Sequence, residues 1–232
     1  MTYILAAKCK DGVVFVTDRK TMNLTKNTFE WVDEKVLRIS LQVVIAWSGL
    51  GSYFDPFSRR FTEQIKNDPN PTPNEYLNAF EKAFEEVRKT FPDEISNGGL
   101  AILIGVQKDE GAALFLIEGN GGARIIEKYH SIGTSQPIGE FFLRKLWDDA
   151  MSMEDFAKLA TFCITYVDKY DLDVSVGLNG KQAPIWTIPD APPPPSYSNI
   201  GKAPQRVLDE CGRYADEKIK KIDNLIADWS NP

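Results

Sequence analysis

The alternation of apolar and polar residues predicts that the chain begins with a β-hairpin. Residues 3–7 and 12–17 are short apolar runs rich in Val and Ile, a pattern typical of buried strands. Asp11-Gly12 lies between them, and this dipeptide strongly favours a tight hairpin turn. Two more strands are predicted at 35–39 and 42–47.

The segment after the first four strands has the periodicity of α-helices. One helix is predicted over 52–65, directly after the turn Ser48-Gly49. Thr72-Pro73-Asn74-Glu75 has the pattern of a capping box with Pro at the first helical position. Apolar residues then recur at three- and four-residue spacing at Leu77, Phe80, Phe84 and Val87. The spacing predicts a second amphipathic helix.

The second half of the chain repeats this order. A β-meander is predicted from three strand-like runs separated by turn residues, at 100–106, 112–117 and 123–129. Two helices should follow, one entered through residues 133–137 and carrying Ile138, Phe142 and Leu146, and one capped by Ser152. The last strands are expected at 174–176 and 184–188. Tight turns join the strands within each group, so we expect antiparallel pairing. The order of strands and helices along the chain therefore predicts an α+β fold with helices on both sides of two stacked antiparallel sheets.

A proline run divides the chain near its C-terminal end. Residues 192–195 are four consecutive prolines, which form an extended spacer rather than a helix or an interior strand. We expect a domain over 1–189, a Pro-rich linker over 190–203 and an amphipathic helix over 204–232. The apolar stripe of that helix needs a surface to cover, either on its own domain or on a neighbouring subunit.

Composition and charge narrow the possible partners. Among 232 residues, 43% are hydrophobic and 26% are charged, which is ordinary for a folded globular protein. The net charge of −6, without a long basic run, argues against nucleic acid or an anionic membrane as a partner. No apolar stretch approaches the ~18 residues of a membrane helix, so we expect a cytoplasmic protein.

The number and spacing of the cysteines and the histidine argue against several kinds of metal-binding and catalytic site. Cys9, Cys163 and Cys211 are far apart and form no Cys-x-x-Cys motif, which favours reduced thiols over a zinc site. His130 is the single histidine, so Ser-His or Cys-His catalysis would depend on it alone. We expect His130 to be structural and predict no metal and no cofactor.

A catalytic group that needs no histidine is present at the start of the sequence. Thr2 follows Met1, and a small second residue is the kind that methionine removal usually exposes. An N-terminal threonine carries a hydroxyl nucleophile and an α-amine with an unperturbed pKa near ~7.7–8.0, a suitable general base.

Two charged residues are candidates to assist Thr2. Asp18 closes the second strand of the predicted hairpin, which folds back beside the first strand and brings Asp18 near Thr2. Lys35 opens the next strand, and its charge beside a threonine hydroxyl would lower the pKa of that hydroxyl. Treated as an ordinary surface lysine, Lys35 should contribute only ~0.5 kcal/mol to stability.

Several short motifs occur in a fixed order along the first 188 residues: Thr2, Lys8-Cys9-Lys10-Asp11-Gly12-Val13-Val14, Asp18-Arg19, Lys35-Val36, Ser48-Gly49, Gly98-Gly99 and Ser131-Ile132-Gly133-Thr134-Ser135. In their joint order and spacing they resemble the β-type subunits of the proteasome, which are N-terminal-nucleophile hydrolases. The resemblance covers residues 2–188. It implies a four-layer αββα sandwich and a threonine-dependent peptidase or amidohydrolase that acts on a peptide or protein substrate. It also implies a homo-oligomer that forms rings.

The resemblance also implies a role for each matching residue. Thr2 would be the nucleophile, Asp18 and Lys35 its charge pair, and the backbone N–H of Gly49 an oxyanion-hole donor. Thr134 replaces a family serine near the α-amine. The substrate-binding candidates implied by the resemblance are Thr21, Asp33 and Trp47, although Trp47 is equally well explained as a core residue.

The last motif of the family, Asp-x-x-Ser-Gly-Gly, is altered in this chain. The corresponding segment reads Asp171-Leu172-Asp173-Val174-Ser175-Val176-Gly177. Ser175 matches the serine, whereas either Asp171 or Asp173 takes the place of the acid. Three functions stay open: a peptidase, a transpeptidase or ligase with the same nucleophile, and an inactive structural or binding member of a ring.

Overall fold

The computed structural model describes residues 2–23, 28–32, 35–66, 71–97, 99–108, 111–119, 122–134, 136–170, 182–190 and 200–230. The predicted strand 174–176 and the candidate residues Asp33, Asp171 and Ser175 lie outside these ranges. No helix in the described part of the chain has the length and hydropathy needed to cross a membrane.

The described residues form strands and helices in nearly the predicted order. The strands are β1 (Tyr3–Cys9), β2 (Gly12–Thr17), β3 (Lys20–Asn23), β4 (Thr28–Trp31), β5 (Val36–Arg38), β6 (Val43–Gly49), β7 (Leu100–Lys108), β8 (Gly111–Glu118), β9 (Arg124–Ile125), β10 (Tyr129–Gly133), β11 (Ile185–Pro189) and β12 (Gly201–Lys202). The helices are α1 (Gly51–Ile65), α2 (Pro73–Thr90), α3 (Pro92–Ser96), α4 (Gln136–Leu146), α5 (Met153–Tyr170) and α6 (Gln205–Ser230).

Two five-stranded sheets form the centre of the molecule. The first has the order β10-β1-β2-β11-β12 and the second the order β5-β6-β7-β8-β9, while β3 and β4 form a separate hairpin. Every described pair is antiparallel. The predicted first hairpin is confirmed, with Ile4 opposite Thr17 and Cys9 opposite Gly12.

Three apolar clusters define four layers. Residues from facing sides of the two sheets, including Phe15 and Leu103, form one cluster between the sheets. The outer face of the first sheet packs on α4, α5 and α6, and the outer face of the second packs on α1, α2 and α3. The predicted αββα sandwich of two stacked antiparallel sheets is therefore confirmed.

Side-chain caps fix the starts of two predicted helices. Thr72 accepts a hydrogen bond from the Glu75 amide, and the Glu75 carboxylate accepts one from the Thr72 amide, which completes the capping box of α2. The Ser152 hydroxyl likewise accepts a bond from the Asp155 amide, 3.1 Å away, at the start of α5. These local bonds satisfy backbone groups that have no partner within the helix.

The predicted strand 123–129 is wrong. Its residues divide between β9, which ends the second sheet, and β10, which pairs with β1 in the first sheet. The chain crosses between the sheets at residues 126–128, where Ile126 enters the cluster between them. Strand periodicity reports burial on one face but not which sheet supplies the partner, so the sequence did not separate β9 from β10.

The first part of α6 packs on its own domain. Val207, Leu208, Cys211, Ala215 and Ile219 are buried in the cluster of the first sheet, and β12 pairs with β11 at the edge of that sheet. Further along α6, Leu225 and Ile226 are more than half exposed. The division into domain, linker and helix stays a prediction, although the first half of the apolar stripe has an intramolecular surface.

Candidate active site

The first hairpin brings Thr2 and Asp18 to the same end of the first sheet. Thr2 directly precedes β1 and Asp18 directly follows β2. The Asp18 amide donates to the Tyr3 carbonyl at 3.0 Å, and the Tyr3 amide donates to Asp18 Oδ1 at 2.9 Å. One buried aspartate therefore bonds both the amide and the carbonyl of Tyr3, the residue next to Thr2.

Asp18 and Lys35 form a buried ion pair. Lys35 Nζ lies 2.6 Å from Asp18 Oδ1, and the side chains are 5% and 0% exposed. Lys35 also donates to the Lys20 carbonyl, while the Lys20 amide donates to Asp18 Oδ2 at 3.1 Å. Both charged groups are thus hydrogen-bonded, as burial of a charge requires.

Burial and mutual attraction act in opposite directions on the titration of this pair. Burial raises the pKa of Asp18, and the charge and hydrogen bond of Lys35 oppose that rise. Burial likewise lowers the pKa of Lys35, and Asp18 opposes that fall. The treatment of Lys35 as an ordinary surface lysine is wrong, because the loss of its charge would leave a buried carboxylate unpaired.

The end of β10 closes against Thr2 from the other side. The Thr134 amide donates to the Thr2 carbonyl at 3.1 Å. Gly133 has a φ of 113°, and a Cβ at this position would overlap the Thr2 carbonyl oxygen. Glycine at 133 is therefore what lets the strand approach the residue before β1. Thr134 itself is exposed, so this side of the site opens to solvent.

Gly49 occupies the last position of β6, where the strand turns towards α1. Its φ is 127°, and a Cβ would overlap the Gly99 carbonyl oxygen. The neighbouring Ser48 and the Thr134 segment line the same cavity, which has a volume of about 490 Å³. The Gly49 end of β6 and the Thr134 end of β10 therefore meet around one opening.

The proteasome subunit family model matches residues 2–178, which is more than half of the chain. The chain belongs to the proteasome subunit family. This match confirms the resemblance inferred from the short motifs, and the two antiparallel sheets with their helices agree with the N-terminal-nucleophile hydrolase fold of proteasome subunits. No curated protein matches the sequence.

Two other site candidates of this proteasome subunit family member, Trp47 and Thr21, lie on β6 and β3. The Trp47 ring lies face to face with Phe54 of α1, with 3.7 Å between the ring centroids and 4° between the ring planes, and it packs against the apolar cluster of the second sheet. Thr21 lies in β3 opposite Glu30 of β4. His130 is half-buried in β10, where burial lowers its pKa.

Sequence reasoning missed one contact that holds Tyr3, the residue after Thr2, in this proteasome-type domain. Tyr3, which follows Thr2, is fully buried, and its ring lies against Gly139 of α4. A Cβ at Gly139 would overlap the Tyr3 hydroxyl oxygen. A glycine inside a predicted helix is the signal that could have revealed this contact, because glycine there is costly unless packing requires it.

We expect Gly139→Ala to lower the free energy of unfolding by about 1–3 kcal/mol, because the added methyl group overpacks the Tyr3 site. Tyr3→Phe in the same chain should recover part of the loss by removing the overlapping oxygen. Urea unfolding measures both effects. Gly51→Ala is the matched control, because no atom lies within 4 Å of a Cβ at Gly51 of α1; an equal loss in both variants would contradict the Tyr3 contact.

Proposed function

We propose that this chain is an N-terminal threonine peptidase, active when the chain starts at Thr2. The main support is the buried pair of Lys35 and Asp18, whose carboxylate also holds the amide of Tyr3, the residue next to the nucleophile. Because a buried charge pair contributes little net stability compared with apolar residues of similar volume, a catalytic use gives a reason to keep it.

In the proposed reaction the Thr2 hydroxyl oxygen attacks the carbonyl carbon of a peptide bond. The α-amine of Thr2 takes the hydroxyl proton, and the Lys35 charge stabilises the oxygen as it becomes nucleophilic. The Gly49 N–H donates to the negative oxygen of the tetrahedral intermediate. The carbon–nitrogen bond then breaks as the protonated α-amine passes its proton to the leaving nitrogen, and the amine departs, which leaves an ester on Thr2 and a neutral α-amine.

Water completes the proposed cycle by attacking that ester. It gives a proton to the α-amine, and the Thr2 oxygen leaves and is reprotonated, so the enzyme is regenerated with a free carboxylic acid as product. Asp18 acts as a positioning residue through its bonds to Lys35 and to the Tyr3 amide. We assign Thr134, Asp171 and Ser175 to the surroundings of the α-amine, and Thr21, Asp33 and Trp47 to substrate binding.

The direct genetic test of this function is replacement of Thr2. Thr2→Ala should abolish hydrolysis of a panel of acylated peptide amides while the unfolding midpoint stays unchanged, since the hydroxyl is the attacking group. Thr2→Ser should keep partial activity, because it retains the hydroxyl and the amine and loses only the methyl group that restricts the rotamer. Equal activity of Thr2→Ala and the original chain would contradict the proposal.

We also propose that the chain assembles as a homo-oligomer that forms a ring. Family membership supports this assembly, and so do the exposed Leu225 and Ile226 on α6. Light scattering should give the mass of a multimer. If the end of α6 takes part, Leu225→Glu with Ile226→Glu should lower that mass, because charged groups would have to be desolvated at the contact. A monomer in the unsubstituted protein would contradict the ring.

A further inference from the structure

The cavity of about 490 Å³ is lined in part by the end of β10, which contacts the backbone of Thr2, the proposed nucleophile. Gly133 and Thr134 line it, and the same two residues contact the Thr2 carbonyl. The opposite side of Thr2 faces Asp18 and, through it, Lys35 and β3. A peptide bond at Thr2 therefore has the charge pair and β3 on one side and the cavity on the other.

The cavity is suited to an amino-acid side chain in both size and chemistry. Its volume lies within the ~300–1,000 Å³ range of ligand sites. Leu100 and Ile132 contribute apolar surface, whereas Ser48 and Thr134 contribute hydroxyl groups. Glu118, at the end of β8, is the charged residue among the described residues that line it.

The Glu118 carboxylate forms an exposed ion pair with Arg124, and a second cation can take the place of the arginine. Its Oε1 lies 3.2 Å from Arg124 Nη2, and the two side chains are 44% and 56% exposed. Ion pairs that are so exposed are weak, because water screens them and the side chains keep much of their freedom. A carboxylate also has more than one acceptor site, so a ligand ammonium can approach Glu118 with or without Arg124.

We propose that this cavity is the subsite for the amine side of the scissile peptide bond, and that Glu118 selects a cationic side chain there. The assignment rests on the proposed function, which gives Thr21 of β3 to substrate binding, and it places the acyl side of the substrate along β3. Because the acyl side occupies β3, the leaving amine occupies the cavity on the other side of Thr2. Because attack by an amine on the Thr2 ester is the reverse of acylation, an incoming amine binds in the same place.

The reverse step provides a direct probe of the cavity. An amine nitrogen attacks the carbonyl carbon of the Thr2 ester, a carbon–nitrogen bond forms, and the bond from that carbon to the Thr2 oxygen breaks. The amine loses one proton, and the Thr2 oxygen gains one through the α-amine. The products are an amide and the free Thr2 hydroxyl, and water competes for the same ester.

The experiment acylates the full chain, starting at Thr2, with a peptide thioester whose thiol leaving group is small. Lysinamide and norleucinamide are then supplied as acceptors at equal concentration, since they differ mainly in the terminal ammonium. The measured quantity is the ratio of amide to hydrolysed acid for each acceptor. We expect lysinamide to be preferred by about three- to fivefold, the range of a partly exposed charge contact.

Paired variants separate recognition from a structural role of the ion pair. Glu118→Gln should abolish the preference for lysinamide, whereas Arg124→Gln should increase it by removing the competing cation. Glu85→Gln on α2 should change nothing, because Glu85 also pairs with an arginine, Arg88, but does not line the cavity. A change in the same direction for Glu118→Gln and Arg124→Gln would overturn the assignment.

The outcomes also distinguish this assignment from the proposed function. Acylation of Thr2 with equal use of lysinamide and norleucinamide would overturn the role of Glu118 and leave the peptidase mechanism intact. Absence of an acyl-enzyme from the unsubstituted chain, measured by intact mass, would overturn the peptidase mechanism and the subsite together.

Discussion

Lys35→Ala is expected to abolish acylation of Thr2 and to lower the free energy of unfolding by about 3–5 kcal/mol. The stability loss follows from the fully buried Asp18, whose carboxyl group would lose its cation and have to stay charged without a partner or take up a proton. The activity loss follows from removal of the charge that stabilises the Thr2 oxygen. Urea unfolding and labelling by a threonine-directed electrophile measure the two effects separately.

A double variant tests whether the activity loss is only a consequence of unfolding. Asp18→Asn with Lys35→Met removes both charges at similar volume, so it should regain most of the stability and remain inactive. Lys128→Ala is the control for loss of an exposed pair: Lys128 lies 2.9 Å from Asp149, and both side chains are more than half exposed. It should leave the free energy of unfolding nearly unchanged, because water screens so exposed a pair. Undiminished labelling of the double variant would contradict the role of the pair.

Chains that retain Met1 are expected to react about 10²–10⁴-fold more slowly than chains that start at Thr2. With Met1 attached, the Thr2 nitrogen is an amide without a basic lone pair, so it cannot take the hydroxyl proton. General-base assistance of this kind contributes about 10²–10⁴-fold, equivalent to about 3–6 kcal/mol of barrier. Hydrolysis rates of preparations separated by intact mass measure the difference, and equal rates would rule out the N-terminal mechanism.

The sequence was sufficient to predict the layers and the position of Asp18 beside the start of β1 because local patterns determine them. The Asp11-Gly12 turn joins β1 to β2, and this hairpin alone places Asp18 beside the residue after Thr2. The capping box of α2 and the periodicity of its apolar residues likewise depend on residues close together in the chain. Such features require no knowledge of distant contacts.

The remaining features depend on contacts between distant parts of the chain. The burial of Lys35 results from Asp18 and from the Lys20 carbonyl, and a single lysine at a strand start carries no sign of either. The hairpin of β3 and β4 was also missed. Gly133 was recognised as part of a motif, but the close approach of its backbone to Thr2 follows from the pairing of β10 with β1.

The most direct test of the central claim is to locate the bond formed by an electrophile that bridges a hydroxyl and an α-amine. The protein is treated with this reagent, its N-terminus is established by intact mass, and the modified peptide is sequenced by fragmentation. We predict a single adduct on Thr2 in chains that start at Thr2, and none in chains that retain Met1 or carry Thr2→Ala. An adduct on another residue, or equal labelling of chains that retain Met1, would contradict the use of Thr2 as an N-terminal nucleophile.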